Sequence, residues 1–192
     1  MRCFHSLQTA RVSVLCALFT ALIAIGAFIR VPLPYCPFTL QFFFTTLAGM
    51  VLGKRGAIAT GTYVLLGLIG LPIFTAGGGP AYVLQPTFGY LLGFIGGTWL
   101  TGYLVEKGVN LTGTYLLVAA LSGLAVVYSC GIAYVYFINT VYLQSPIGLW
   151  PLFLYCFLLA VPGDICLSLL AAFFYKRIRP FVSLPARREG EK

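Results

Sequence analysis

Apolar residues in this chain come in long unbroken runs, separated by short polar, basic or Gly- and Pro-rich stretches. Continuous runs predict helices, because strands of a membrane barrel would alternate polar and apolar residues with period two. The runs predict six spans at about residues 12–29, 38–52, 57–71, 87–105, 114–138 and 150–175, with a basic tail over 176–192. The first is near the roughly 20 residues needed to cross a hydrocarbon core; the second and third are short. Short segments interrupted by Gly and Pro point to a substrate site in transport proteins.

The separators differ in kind. Arg30 to Pro37 is broken by Pro32, Pro34 and Pro37, and Gly53-Lys54-Arg55-Gly56 is a tight basic turn. Glu106 to Gly113 is a polar turn, and Asn139 to Leu149 is a further loop. The stretch from Leu71 to Gly97 reads LPIFTAGGGPAYVLQPTFGYLLGFIGG. Its Gly77, Gly78 and Gly79 open backbone conformations closed to other residues and allow close approach to the main chain. Thr75, Tyr82 and Gln85 place hydrogen-bonding groups among apolar neighbours. Two readings stand: a recognition loop, and a plain connection between helices that is longer than the usual two to eight residues.

Composition turns helices into membrane helices. Of 192 residues 60% are hydrophobic and 8% charged, and the mean hydropathy is +0.97; a soluble domain carries roughly 25% charged residues. The expectation is one all-α integral membrane domain. The net charge of +8 sits in clusters at the ends of apolar runs, a pattern of membrane orientation and not of a nucleic-acid surface. With both termini cytoplasmic, eleven of the twelve Lys and Arg residues fall on the inner side and only Arg30 outside. The chain is then a multi-pass protein of the cytoplasmic membrane, in contact with lipid. The first apolar run is long for a signal peptide and lacks a clear cleavage signal, so it is expected to be a retained helix.

Candidate chemistry is sparse. Six cysteines (Cys3, Cys16, Cys36, Cys130, Cys156, Cys166) form no CxxC pair, which predicts neither a disulfide framework nor a metal site. His5 is the only histidine. Three of the four acids, Glu106, Glu189 and Glu191, lie at an inner boundary or in the tail. Asp164 stands alone inside the last run, in Val161-Pro162-Gly163-Asp164. An acid at the centre of a span costs about 2.5–3.5 kcal/mol on insertion scales, so it faces a partner or a polar ligand; the alternative is that Pro-Gly breaks the helix and Asp164 caps the restarted half. One acid cannot build a metal site or an acid–base pair, so no enzyme and no cofactor are expected. Gly49 to Lys54 lacks the spacing and the Ser or Thr of a phosphate loop, so the chain has no ATPase of its own. Arg30 either meets a ligand carboxylate or reaches to lipid headgroups. Ala17 and Ala21, four apart, let another helix come close, or are simply common helix residues. Gly89, Gly93 and Gly97 repeat every four residues and predict a smooth packing groove.

Several segments together resemble the BioY family, the biotin-specific substrate-binding (S) components of energy-coupling-factor (ECF) transporters. They are ALFTALIAIGAFIRVPLP from Ala17, PFTLQ from Pro37, GKRGA from Gly53, GLIGLPIF from Gly67, QPTFGYLLGF from Gln85 and VPGD from Val161. The resemblance covers the chain from the first run to the last. It implies six transmembrane helices that bind biotin from outside, driven by a membrane-embedded coupling subunit and two cytoplasmic ATPases. It implies that Ala17 and Ala21 contact the coupling subunit and that the loop from Pro72 to Pro86 gates the site. Asp164 matches the acid of the last-helix motif; Leu167 stands where family members often carry Lys. The expected substrate contacts are Asp164 to ureido N–H groups, Gln85, Thr75 or Tyr90 to the ureido oxygen or tail, Phe74, Tyr82 and Phe88 over apolar surface, and Gly78 and Gly79 in the loop. The rival readings are an S component for another vitamin, such as thiamine or riboflavin, and a structural membrane protein without ligand.

Overall fold

The computed structural model describes residues 2–31, 37–142, 144, 150 and 154–182. Helix α1 (Arg2–Phe28) leads into a two-stranded antiparallel ribbon, β1 (Arg30–Val31) and β2 (Phe38–Thr39). Helix α2 (Gln41–Leu52), a 3-10 turn (Gly53–Arg55) and helix α3 (Gly56–Ile69) follow. A loop containing the 3-10 turn Pro80–Leu84 joins α3 to α4 (Phe88–Lys107). Helix α5 (Gly113–Phe137) runs on through a π-helical turn (Ile138–Tyr142). A second π-helical turn (Leu154–Leu158) precedes α6 (Val161–Val182), which holds Pro180 in its last turn.

Among the described residues three segments are long and apolar enough to cross a membrane: Ala10–Phe28, Phe88–Lys107 and Gly113–Tyr142. Six spans were expected, and the difference has a local cause in each remaining helix. The ribbon takes Phe38 and Thr39 out of the second run, and Leu40 N–H donates to the Ile29 carbonyl at 3.0 Å, so α2 begins only at Gln41. At 12 and 14 residues, α2 and α3 rise about 18 and 21 Å, short of a hydrocarbon core. Helix α6 is long, but Asp164 opens it and Lys176, Arg177 and Arg179 crowd its end. The last predicted run is also not one helix. It is interrupted at Leu159 and Ala160, ahead of the Pro-Gly pair. Pro162 sits in the first turn of α6, where its missing N–H costs nothing. At the other end the helix covers the first residues of the expected tail; Arg187, Arg188 and Lys192 lie outside the described residues, as do Pro32, Pro34 and most of the loop before Trp150.

Helix α2 is the central post. It packs against α1, α3, α4 and α6, and all but two of its residues are buried, which a helix apolar all round requires. Apolar side chains such as Leu18, Ile25, Leu65, Leu92, Val118, Leu169 and Phe173 form the exposed outer surface, a belt a membrane protein turns to lipid. Between the helices, hydroxyls bond to backbone: Thr20 to Ala59 O at 3.0 Å, Thr98 to Thr45 O at 3.3 Å, and Thr101 to Ala119 O at 3.2 Å. Such bonds hold helices together where lipid supplies no hydrophobic contrast.

The most extensive helix pairing is α4 with α5, and the four-residue glycine repeat makes it. A Cβ on Gly93 would stand 2.8 Å from Val127 Cα, and one on Gly97 would stand 2.7 Å from the Gly123 carbonyl oxygen. Gly89 meets Tyr134 in the same way. Backbone cannot move aside cheaply, so the substitution Gly97→Ala should destabilise the protein by about 1–3 kcal/mol, an overpacking cost. Gly61 in α3 has open space where its Cβ would go, so Gly61→Ala should be neutral or add up to about 1 kcal/mol through helix propensity. Thermal unfolding of the two variants in detergent checks the contrast.

Candidate functional site

The loop after α3 begins with a tight stop. Gly70 turns the chain at φ 123°, and its N–H bonds to Gly67 O. Phe74 and Gly77 then exchange both backbone hydrogen bonds, and Gly79 N–H returns to Gly67 O at 2.7 Å. Gly77 and Gly79 carry φ of 110° and 103°, conformations an L side chain rarely adopts. The turn drives Phe74 down onto α3. A side chain on Gly67 would overlap the Phe74 ring, which is 1% exposed and lies between the rings of Tyr63 and Tyr82.

Beside this plug lies a cavity of about 60 Å³, room for a few water molecules at about 10–15 Å³ each. Its walls come from six places: Pro37, Phe38 and Thr39 of the ribbon segment, Gln41 and Phe42 of α2, Thr75 and Tyr82 of the loop, Thr87, Tyr90, Leu91 and Phe94 around the start of α4, Val127 and Tyr128 of α5, and Ala160 and Asp164 around the start of α6. Most of the lining is aromatic or aliphatic, with a few polar groups converging on it, the ordinary make-up of a small-molecule site.

Asp164 is 7% exposed. Tyr128 donates its hydroxyl hydrogen to Asp164 Oδ2 at 2.5 Å. The carboxylate is therefore no helix cap; it sits in the first turn of α6, where the helix dipole favours negative charge. Among the described residues the one ion pair is Lys54–Glu106 at 3.3 Å, so no cation neutralises Asp164. Tyr128 is itself held between rings, with Tyr90 at 6.1 Å and Phe157 at 5.3 Å centroid to centroid. Gly163 admits the Phe38 ring, which a Cβ would meet at 2.7 Å, and so brings the ribbon segment against α6.

A second polar chain runs through the wall. Thr39 donates to Gln41 Oε1 at 3.2 Å, Gln41 Nε2 to the Tyr63 hydroxyl at 2.7 Å, and Tyr63 to Ile73 O at 3.0 Å. It ties ribbon, α2, α3 and loop together. On the loop side, Tyr82 shares hydrogen bonds with Thr75 at 2.9 Å and Thr87 at 3.3 Å. Arg30 Nη1 donates to the Thr75 carbonyl.

Four of the residues singled out from sequence meet at the cavity: Asp164, Tyr90, Tyr82 and Thr75. Four do not. Phe74 is a buried plug behind Tyr82. Gln85 is exposed at the end of the 3-10 turn, its carbonyl taken by Phe88 N–H. Gly78 packs on the Leu71 carbonyl and Gly79 anchors to Gly67, so both shape the loop and neither lines the cavity. Phe88 packs against Tyr134 instead. Ala17 and Ala21 lie on an exposed face of α1. Sequence reasoning missed Thr39, Gln41, Thr87 and Tyr128 as cavity residues. A signal existed for Tyr128: with Leu124, Val127, Gly131 and Val135 it shares the buried face of α5, whereas Tyr136 is off that face and exposed.

Known proteins resemble this chain over most of its length. A probable biotin transporter BioY of Lysinibacillus sphaericus is 41% identical over 166 residues, 86% of this chain and 85% of its own length. The biotin transporter BioY of Rhizobium etli is 36% identical over 193 residues, 94% of this chain and all of its own. A crystal structure of the S component for biotin from an ECF-type ABC transporter superposes with a TM-score of 0.75 at 28% identity, covering 90% of this chain and 93% of that one. The BioY family model matches residues 4–184, a range that takes in the ribbon, the loop and the acid-bearing helix, and the chain accordingly belongs to the BioY family.

Proposed function

We propose that this chain captures biotin and takes it up across the cytoplasmic membrane as the S component of an ECF-type transporter. The observation that carries the reading is the buried Asp164–Tyr128 pair in an otherwise apolar cavity beneath a glycine-shaped loop. Biotin has a ureido ring with two N–H groups, a thioether ring and an aliphatic tail ending in a carboxylate. Asp164 accepts a ureido N–H, and Tyr128 fixes the carboxylate rotamer by occupying its other oxygen. Phe38, Phe42, Leu91 and Phe94 cover the apolar rings, and Thr39, Gln41, Thr75 and Tyr82 offer polar atoms at the rim. The names of the relatives and of the superposed structure support the same ligand.

In this reading the chain crosses the membrane six times, with α2, α3 and the broken α6 completing the bundle and both termini cytoplasmic. The charges support that orientation: Lys54, Arg55, Lys107 and the basic residues of α6 gather at the end opposite the cavity. The exposed pair Ala17 and Ala21 offers the coupling subunit a flat face for close helix approach, and two ATPase subunits supply the energy.

Equilibrium titration of the purified chain with labelled biotin, with unlabelled biotin, thiamine and riboflavin as competitors, tests the ligand. Displacement by biotin alone is expected; displacement by another vitamin would move the assignment within the S-component class, and no saturable binding would sink it. In the same titration Asp164→Asn should weaken biotin roughly 10- to 100-fold, the worth of a hydrogen bond to a charged group, and Tyr128→Phe roughly 2- to 10-fold. Gln85→Ala should leave affinity unchanged. For the partner face, Ala17→Trp should keep full biotin affinity and lose co-purification with the coupling subunit; loss of both, or of neither, counts against that assignment.

A further inference from the structure

We propose that Arg30 binds the carboxylate of the ligand at the mouth of the cavity, so that the site reads both ends of an elongated molecule. The inference rests on the biotin reading above and adds a residue and a role to it. Arg30 is paired with Thr39 across the ribbon. Directly opposed residues of an antiparallel pair project to the same face, and Thr39 lines the cavity. The guanidinium also reaches the loop: Nη1 donates to the carbonyl of Thr75, a second lining residue. Arg30 is thus fastened to the cavity rim from two sides while its side chain remains exposed.

A guanidinium has five N–H donors in a planar fork that matches a carboxylate. One is used on Thr75. No acid of the described chain competes for the rest, since Glu106 is paired with Lys54 and Asp164 bonds Tyr128. No other described cation serves the cavity. Arg11 bonds Phe181 O, Lys54 and Lys107 flank Tyr103, and Lys176 lies beside Gly113, all at the opposite end. The segments 32–36, 143–149 and 151–153 contain no Lys or Arg. The turn of α6 that carries Asp164 offers none either, with Leu167 and Ser168 following it. Among the described residues an anionic tail at this end therefore has one candidate counter-charge. The buried carboxylate and the rim guanidinium also make the site polar along its length. Donor N–H groups are drawn inward to Asp164, and a carboxylate, repelled by Asp164, is held outward at Arg30.

The test is a titration of wild type, Arg30→Gln and Arg30→Lys with biotin and with its neutral primary amide. Arg30→Gln is expected to weaken biotin roughly 10- to 100-fold, the usual worth of a charged hydrogen bond, while the amide binds both proteins alike. Arg30→Lys should recover part of the loss, and added salt should narrow the wild-type preference for biotin over the amide. An equal loss for both ligands would overturn the proposal and leave Arg30 as a tether of the Thr75 backbone. Unchanged binding of both would overturn it as well, placing the carboxylate in solvent. If wild type bound neither ligand, the biotin reading itself would fall, an outcome separate from either pattern of selective loss.

Discussion

A carboxylate buried in an apolar bundle is the constraint around which the cavity end of this protein is arranged. Among the described residues no cation pairs with Asp164, and its insertion cost of about 2.5–3.5 kcal/mol has to be offset locally. Two features do so: the short hydrogen bond from Tyr128 and the position in the first turn of α6. Each draws in further structure. Tyr128 is fixed by rings from α4 and from the π-helical turn before α6. The first turn exists at that height because the chain breaks at Leu159 and Ala160 and restarts with Pro162. An uninterrupted helix through this region would place Asp164 in mid-helix, without the dipole. The break and the acid are thus one device.

Glycine does the complementary work. At Gly93 and Gly97 it lets two backbones touch, which sets the distance between α4 and α5 and hence the width of the cavity wall. At Gly67, Gly131 and Gly163 the missing side chain makes room for a ring: Phe74, Tyr90 and Phe38 respectively. Each of those rings either lines the cavity or backs a residue that does. Only Gly77 and Gly79, among the loop glycines of the GGG run, are required by their φ. The same residue type therefore fixes helix spacing, ring placement and loop shape by two different mechanisms, steric room and backbone freedom.

Much of this was legible in the chain. The continuous apolar runs marked the helices, the lone Asp164 marked the cavity, and the four-residue glycine repeat marked the tightest helix pair. The ribbon was not legible, because two strands of two residues each have no period to detect. Its consequence, a late start for α2, was therefore missed, and with it the inward placement of Thr39 and Gln41. The loop misled for a related reason. Its polar and flexible residues look alike in sequence, yet Thr75 and Tyr82 turn to the cavity, Gln85 is left exposed, and the glycines serve only the turn. Which side a loop residue faces is set by tertiary bonds such as Phe74 to Gly77 and Gly79 to Gly67, not by local pattern.

Those bonds also grade the loop in strength. Its base is strongly held: Phe74 is buried against Tyr63, Gly79 is bonded to α3, and the Tyr63 hydroxyl grips the Ile73 carbonyl. Its cavity-facing part is held by exposed or half-buried bonds, from Arg30 to Thr75, Tyr82 to Thr75 and Thr87, and Tyr134 to Val83 O at 2.5 Å. The neutral bonds among these are worth about 0.5–1.5 kcal/mol net and the exposed Arg30 bond somewhat more, and all can be exchanged for water. Movement that uncovers the cavity is therefore cheapest if Thr75 and the Pro80–Leu84 turn swing while the Phe74 plug stays in place. The hinge residues of such a movement are then Gly77 and Gly79, whose backbone freedom the turn already requires. The rim bonds of this loop are thus separable from the aromatic core beneath it.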